Sequence, residues 1–413
     1  MLADFVFDHM KTRQATQVAA SLLGILVANL AALLHAAAAP AAPPLSSPSM
    51  MPRAAELQAA IDRGTSYLLK SQNSNGWWST PEQPAVTALV LASLNFNPSR
   101  RDPKNGTSEI NRAYDFILSS AKPDGSIQRS GLANYNTALC LIALASANDG
   151  NFKPVILAAR KYLANSQIDF GVKGTNDTPF DGGIGYGSKY QHSDMNNTLI
   201  AIEAMRLSEG LLVKDGPGES KPESDVDWAA VARFLENCQN LPSINKADWV
   251  SSNPKDLGGF VYYPGVSNAG GVTNAQTGRV ALRSYGSMSY GGLLSYIYAR
   301  VDENDPRVVA VLGWLRANYT LAENPGMGRQ GYYYYLHLMT KALSAARVEK
   351  LKLSDGSEVD WRAEVASQLI KLQKPDGSWV NPEKRFWETD SILVTSYALM
   401  ALEILHAQAV RMN

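Results

Sequence analysis

Residues with the type and spacing for catalysis are few in this 413-residue sequence, and the main group precedes one apolar helix. Asp194 follows His192 by two residues, and the amides Asn196 and Asn197 come shortly afterwards. A carboxyl group and an imidazole could serve as general acid and base, whereas an amide has no proton to transfer near neutral pH. Asp194 is therefore the candidate catalytic residue, and the other three are candidate ligand contacts. The competing interpretation, which residue type and position favour, is that Asp194 caps the helix.

A second acidic segment, Glu388-Thr389-Asp390, opens the last apolar helix. Asp390 is a candidate cavity residue, although it too is most simply explained as a helix cap. A pair of carboxyl groups facing one groove is a common device for glycoside hydrolysis. An approach of Asp194 to Asp390 would therefore favour an enzyme.

Aromatic residues form the second group of candidates. Tyr285 and Tyr290 open one apolar helix, and four tyrosines in succession, Tyr332 to Tyr335, open the next. Successive residues point to all sides of a helix, so one or two of the four face a cavity and the rest pack. Close helix packing is the simpler interpretation, and an aromatic cavity lining is the functional one. The candidate lining residues are Tyr135, Tyr285, Tyr290, Tyr332 and Tyr333, with Arg283 and Arg329 placed to hold an anionic head group.

Composition excludes several classes of protein. Lysine plus arginine equals aspartate plus glutamate, so no basic field for nucleic acid is predicted. The two cysteines, Cys140 and Cys238, stand apart, and no histidine cluster has metal-ligand spacing. Neither a metal nor another cofactor is predicted.

The N-terminal segment has the pattern of an export signal. Lys11 and Arg13 precede the apolar run Ala19–Ala39, which ends in small residues before a proline-rich stretch. This pattern predicts a signal peptide over residues 1–39, a flexible leader over 40–52, and a periplasmic or secreted protein. The alternative is an uncleaved N-terminal membrane anchor, because the run is nearly long enough to span a bilayer.

The candidates must be positioned by a repeat. Six times, a helix with a polar face is followed by a helix that is apolar nearly all round, which is typical of an outer and an inner ring. The predicted outer helices are 54–72, 108–120, 152–167, 225–239, 305–319 and 359–373. The predicted inner helices are 84–95, 132–147, 193–208, 284–300, 329–346 and 389–407. Residues 53–413 should therefore form an all-α domain, a single (α/α)6 toroid of six helical hairpins. The long links 168–192 and 240–283 should share one rim of this toroid.

Two of the outer helices end in a shared motif. The segments Gln72-x3-Gly76-x-Trp78 and Gln373-x3-Gly377-x-Trp379 match fully, and degenerate copies stand in register elsewhere. By these residues the chain resembles the prenyltransferase and squalene-cyclase repeat superfamily, in which this motif is called the QW repeat. The resemblance implies an α/α toroid. The position of Gln72, Gly76, Trp78, Gln373, Gly377 and Trp379 at helix ends predicts a structural role in joining repeats.

The resemblance also implies where chemistry would occur. Squalene and related cyclases carry Asp-x-Asp-Asp-Thr at an inner-helix start, and the middle aspartate protonates the substrate. This chain has Asp194-Met195-Asn196-Asn197-Thr198, with amides at both final acid positions. The sequence therefore favours an exported toroid that binds an apolar (terpenoid or lipid) ligand, a glycan, or a protein partner at the loop rim. The alternative is a divergent terpenoid cyclase, or another enzyme, that uses Asp194 and rim tyrosines.

Overall fold

The computed structural model describes residues 51–97, 107–187, 191–212 and 225–412, and these residues belong to one compact unit. The predicted signal peptide and residues 40–50 of the leader lie outside the described residues. Within the described ranges there are twelve α-helices: α1 (Ala54–Lys70), α2 (Pro84–Phe96), α3 (Ser108–Leu118), α4 (Ala133–Ser146), α5 (Lys153–Asn165), α6 (Met195–Leu207), α7 (Trp228–Cys238), α8 (Gly286–Tyr298), α9 (Pro306–Ala317), α10 (Tyr332–Ala345), α11 (Trp361–Leu372) and α12 (Ser391–Met412).

Short elements lie between the helices. Two antiparallel hairpins pair β1 (Gly271–Thr273) with β2 (Val280–Leu282) and β3 (Leu351–Lys352) with β4 (Glu358–Val359). Three 3-10 turns cover Gly150–Phe152, Glu209–Leu211 and Arg385–Trp387.

The helices alternate between an inner and an outer ring. Inner helices such as α2 are buried along nearly their whole length, whereas outer helices such as α3 bury one stripe and expose their charged face. Each even-numbered helix packs on the next even-numbered one, and α12 packs back on α2, which closes the inner ring. This arrangement confirms the predicted all-α toroid. Within the described residues, only α12 is long and apolar enough to span a membrane, and most of it is buried inside the ring.

The first QW motif joins α1 to α3. Gln72 donates from Nε2 to the Glu109 carbonyl at 2.7 Å and accepts from Arg112 at 3.0 Å, both on the neighbouring outer helix. Gly76 has φ +92°, and a Cβ there would overlap the carbonyl oxygen of Arg112. Trp78 is fully buried and donates from Nε1 to the Leu68 carbonyl at 2.7 Å. The motif thus satisfies the end of one helix and seals it against the next.

The second QW motif repeats these contacts between the last and the first outer helix. Gln373 donates to the Ala60 carbonyl of α1 at 2.9 Å, and Gly377 (φ +92°) leaves no room for a Cβ beside the carbonyl of Arg63. Trp379 is fully buried and donates to the Leu369 carbonyl at 2.8 Å. These bonds tie the end of the chain to its beginning.

The long loops meet at one rim, as their placement predicts. Tyr262 of the 240–283 link donates to Tyr186 of the 168–192 link at 3.3 Å. The rings of His192 and Tyr263 lie 4.4 Å apart, centre to centre. The backbone N–H of Met195, which begins α6, donates to the Tyr262 carbonyl at 2.9 Å. The loops therefore cover the end of the ring at which the inner helices begin.

Candidate functional site

The centre of the ring holds a narrow cavity of about 40 Å³. Five inner helices line it, namely α2, α4, α6, α10 and α12. Helices α4 and α10 each contribute side chains at positions i, i+4 and i+7, which is one face of a helix, and α6 contributes Leu199, Ile200 and Glu203. The lining consists of Ala88, Leu89, Ala92, Tyr135, Leu139, Ile142, Leu199, Ile200, Glu203, Tyr334, His337, Leu338, Lys341, Tyr397 and Met400.

Three tyrosines close the loop-bearing end of this cavity. The Tyr334 hydroxyl donates to Oδ1 of Asn196 at 2.6 Å, and its ring lies 5.3 Å from that of Tyr397. Tyr135 and Tyr397 are joined through their hydroxyls. Burial raises the pKa of Tyr135 to about 12 and the pKa values of Tyr334 and Tyr397 well above their ordinary range. All three phenols are therefore neutral near pH 7, and they present apolar rings with paired hydroxyls.

The other end of the cavity carries charge that is already paired. Lys341 donates to Glu203 in a partly buried ion pair. His337 stacks on Tyr397 with ring centres 5.6 Å apart, and its Nδ1 is buried without a hydrogen-bond partner. Burial lowers the pKa of His337 well below its ordinary range, so the imidazole is neutral. The cavity is consequently a mostly apolar channel that ends in an internal salt bridge.

Asp194 is fully buried and caps α6. Its Oδ1 accepts from the backbone N–H of Asn197 at 2.9 Å, and its Oδ2 accepts from the Asn197 side chain at 2.7 Å. Burial raises the pKa of Asp194 to about 6, against the opposing effect of these hydrogen bonds. Both carboxylate oxygens are thus engaged by one neighbour. Asn196, two residues further on, is linked to the cavity by its hydrogen bond from Tyr334.

His192 lies beneath the loops and does not line the central cavity. Its ring contacts those of Tyr263 and Phe180, and its Nε2 is buried without a partner among the residues that the structure describes. Asp390 accepts from Ser79 and from the Ile392 backbone N–H at 2.9 Å, which caps the start of α12. Asp194 and Asp390 thus cap different helices, α6 and α12.

The remaining predicted residues lie around the centre rather than in it. The Tyr285 hydroxyl accepts from Asn268 at 3.2 Å, and Tyr290 packs on Tyr335 with ring centres 5.6 Å apart. Tyr332 donates to the Leu321 carbonyl, toward the outer ring, and its ring contacts Tyr333 edge-on. Arg329 covers the Tyr332 ring at 4.4 Å, and Arg283 is exposed at the rim. Of the predicted lining residues, Tyr135 alone reaches the central cavity directly.

Several residues of the site were missed by the sequence analysis. Tyr334 lines the cavity where Tyr332 and Tyr333 had been predicted, and Tyr397 and His337 complete the aromatic group. The signal was present as a spacing. Tyr334, Leu338 and Lys341 stand at i, i+4 and i+7, as do Tyr135, Leu139 and Ile142. Each of these two inner helices carries a tyrosine near its start and a leucine one turn later on the same face. That shared pattern would have indicated a common lining.

A strap before α12 closes the rim above these residues. Glu388 is fully buried and accepts from the Tyr334 backbone N–H at 2.8 Å and from Asn381 at 2.6 Å. Arg385 donates to Asn268 at 2.7 Å and to Gln330 at 2.9 Å. Segment 381–390 therefore ties the 240–283 loop to the segment that leads into α10. Within the described ranges, no group of three or more acidic, histidine or cysteine side chains could hold a metal ion.

Sequence comparisons give one partial match. No protein-family model matches the sequence. A drimenyl diphosphate synthase from Streptantibioticus cattleyicolor is 28% identical over 167 residues, which is 37% of this chain. The match spans only 28% of the synthase's length.

Solved structures are similar over most of the chain. The type II terpene cyclase MstE from Scytonema matches with a TM-score of 0.50 at 14% identity, over 86% of this chain and 99% of the cyclase. A family 76 α-mannanase from Bacteroides thetaiotaomicron matches with a TM-score of 0.51 at 10% identity, over 86% of this chain and 97% of the mannanase. At such identities the likeness shows the fold alone. The protein is an α/α toroid. Its fold is of the terpenoid-cyclase-like type.

Proposed function

We propose that this protein binds an apolar, terpenoid-like or other lipid ligand in its central cavity and does not cyclise it. One observation carries the proposal. Asn196 stands at the position that the acid occupies in the cyclase motif, and its amide accepts a hydrogen bond from Tyr334 at the mouth of an aromatic and aliphatic channel. The place from which a proton would have to come is therefore occupied by a group that has none to give.

The lining favours an apolar ligand over a glycan. A sugar needs unpaired donors and acceptors, because its own hydroxyls lose water on binding. Here Glu203 is paired with Lys341, Tyr334 with Asn196, and Tyr135 with Tyr397. The surfaces left between these pairs are aliphatic chains and aromatic faces. The similar cyclase MstE has been solved with geranylgeranyl dihydroxybenzoate, which is also largely apolar.

Binding requires the centre to widen. The cavity measures about 40 Å³, whereas small-molecule sites span roughly 300–1,000 Å³. Met400 is the lining residue best suited to move, because an unbranched thioether chain adapts its shape at small cost. We therefore expect slow association that is limited by side-chain displacement.

A pair of methionine variants tests this proposal. Met400→Ala enlarges the cavity, whereas Met205→Ala removes a buried methionine that does not line it. With geranylgeraniol as the probe in a fluorescence-competition titration, Met400→Ala should bind about tenfold more tightly or associate about tenfold faster than wild type. Met205→Ala should bind as wild type does. Equal effects of the two changes, or no binding by any form, would refute a central site.

A divergent cyclase is the second candidate, and one observation favours it. Burial raises the pKa of Asp194 to about 6, so this carboxyl group carries a proton in mildly acidic solution. Product analysis by mass spectrometry after incubation with squalene or geranylgeranyl diphosphate decides between the two candidates. We expect no cyclic product. A cyclic product that disappears in Asp194→Asn would replace binding by catalysis.

Export is also part of the proposal, together with its alternative of an uncleaved membrane anchor. The charged start, apolar run and small-residue end of residues 1–39 support it. A protein partner at the rim of the 168–192 and 240–283 loops stays a hypothesis. N-terminal sequencing of protein from the periplasm or medium of a producing cell would show whether cleavage occurs near Ala39.

A further inference from the structure

The outer wall of the ring carries a second concave surface, between the loop after α1 and helix α3. This groove is largely open to solvent and has a volume of about 520 Å³. Trp77 and Phe116 form its apolar part, and Arg112, Asp115 and Arg129 contribute charged groups. None of these residues lines the central cavity.

The repeat provides an internal reference for this groove. Gly76 packs against the carbonyl oxygen of Arg112 on α3, and Gly377 packs in the same way against Arg63 on α1. The seam of loop 373–379 against α1 is thus the structural counterpart of the seam that carries the groove. Residues that differ between the two seams are not required for joining repeats.

Trp77 is the largest of these differences. Its counterpart in the second motif is Ser378, a buried residue that donates to Asp376 at 2.7 Å. The degenerate motif after α3 also has a buried serine, Ser126, which donates to Asp124 at 2.8 Å. A small hydroxyl residue therefore suffices at this position. Trp77 instead places a half-buried indole beside the groove.

The second difference is Asp115, an acid without an ion-pair partner among the described residues, which lines the groove together with Arg112 and Arg129. Asp115 is exposed and makes no ion pair or side-chain hydrogen bond to any described residue, and its counterpart on α1 is the uncharged Ser66. Arg129 is held in place, because it donates to Ser120 at 2.8 Å and to Ser119 at 2.7 Å. Its guanidinium also lies 4.3 Å over the Phe116 ring. The groove thus presents a free acceptor and fixed donors around an aromatic face.

We propose that this groove binds a neutral saccharide. The face of an indole is electron-rich and favours the weakly positive C–H face of a pyranose ring. Asp115 would accept from sugar hydroxyls, and Arg112 and Arg129 would donate to them. The Asp115 carboxylate would repel an anionic group placed beside it, so we commit to a neutral saccharide. This site is separate from the central cavity and does not depend on the apolar ligand proposed for it.

Indole NMR of the purified protein, labelled with 15N-tryptophan, tests the proposal. The probes are the neutral hexasaccharides of cellulose, chitin, mannan and xylan, with inositol hexakisphosphate as the anionic probe. At least one hexasaccharide should shift the Trp77 indole signal, which is assigned by its loss in Trp77→Ser. Asp115→Asn, an exposed change that leaves the clamp intact, should weaken that binding by about tenfold. The matched change Ser66→Ala on the other seam should leave it unaltered.

Three outcomes would overturn the proposal. These are no shift with any hexasaccharide, a shift with inositol hexakisphosphate alone, and equal affinities of wild type and Asp115→Asn. A result at this groove leaves the geranylgeraniol titrations unaffected, because the two sites share no residue.

Discussion

The seams between repeats and the centre of the ring are built in opposite ways. At the seams the same residue types recur: Gln72 and Gln373 each donate to a backbone carbonyl of the neighbouring outer helix and accept from an arginine side chain of that helix. At the centre, polar side chains end on other side chains, as in the Tyr334–Asn196 contact. Repetition at the seams is what closure of a ring from stacked units demands. The centre is free of that demand, and in the proposed function its residues contact a ligand.

The seams should be rigid and the centre should be adjustable, for the same reason. A side chain bonded to a helix-end carbonyl cannot move without leaving that carbonyl unsatisfied. A pair of side chains can rotate together, and the buried Nδ1 of His337 has no partner to lose. Changes at the seams should therefore cost stability, and changes at the centre should alter binding.

The largest effect is expected at a seam. Trp379→Ala removes a fully buried indole together with its bond to the Leu369 carbonyl, and should lower the free energy of unfolding by about 3–5 kcal/mol. Urea denaturation followed by circular dichroism measures this loss. A loss below about 1 kcal/mol would show that Trp379 contributes little to the stability of the ring closure.

A glycine pair isolates close packing from backbone conformation. Gly377 and Gly356 have similar positive φ angles, +92° and +87°. A Cβ at Gly377 overlaps the Arg63 carbonyl, whereas a Cβ at Gly356 meets nothing within 4 Å. Gly356→Ala should cost about 1–2 kcal/mol, the conformational part alone, and Gly377→Ala should cost about 1–3 kcal/mol more. Equal losses of stability for the two variants in thermal melting would show that the backbone at the seam moves to accommodate the added Cβ at no cost.

The pH dependence of stability tests the burial of Asp194. Its pKa is raised to about 6 in the folded protein, so the folded state holds this proton more tightly than the unfolded chain does. The stabilisation of the folded state by the protonated carboxyl is therefore complete in acid. It is lost as the pH rises from about 4 to about 6.

Asp194→Asn keeps a helix cap and does not titrate. The stability of wild type relative to this variant should fall by on the order of 2–3 kcal/mol from pH 4 to pH 7, measured by urea denaturation at each pH. Asn197 can accept from the new amide, since its Oδ1 has no partner in the present arrangement. A difference that stays constant with pH would contradict the burial of an acid at this position.

The smallest effect is expected at the centre. Tyr334→Phe removes the hydroxyl that donates to Asn196 but keeps the aromatic ring in the lining. Stability should change by only about 0.5–1.5 kcal/mol, and geranylgeraniol affinity should change less than threefold, about 0.6 kcal/mol. Thermal melting and titration of the same sample give both values. A complete loss of binding would mean that the hydroxyl, not the ring, recognises the ligand.

The fold could be predicted because it depends on features that a sequence displays. The alternation of polar and apolar helices and the two full QW motifs were sufficient for an α/α toroid, and predicted helix ends lie within a few residues of the observed ones. The capping of α6 by Asp194 and of α12 by Asp390 followed from local residue preferences.

The site could be predicted only in part, because it depends on rotation and packing. Among four consecutive tyrosines, the sequence could not say which one faces inward. That depends on how α10 is rotated against its neighbours, and Tyr334 is the residue that does. The small volume of the cavity is set jointly by side chains from five helices. Trp77 was passed over because its neighbour Trp78 completes the motif, and only the comparison of seams shows that a serine, Ser378, stands at the equivalent position of the second motif.

A native mass spectrum of the purified protein with geranylgeraniol tests the central claim most directly. The wild-type protein should retain one molecule of ligand per chain. Ala92→Leu, which fills the cavity from α2, should retain none while keeping the wild-type circular dichroism spectrum. Retention of equal amounts by both forms, or by neither, would contradict the claim that the residues at the centre form an apolar binding site.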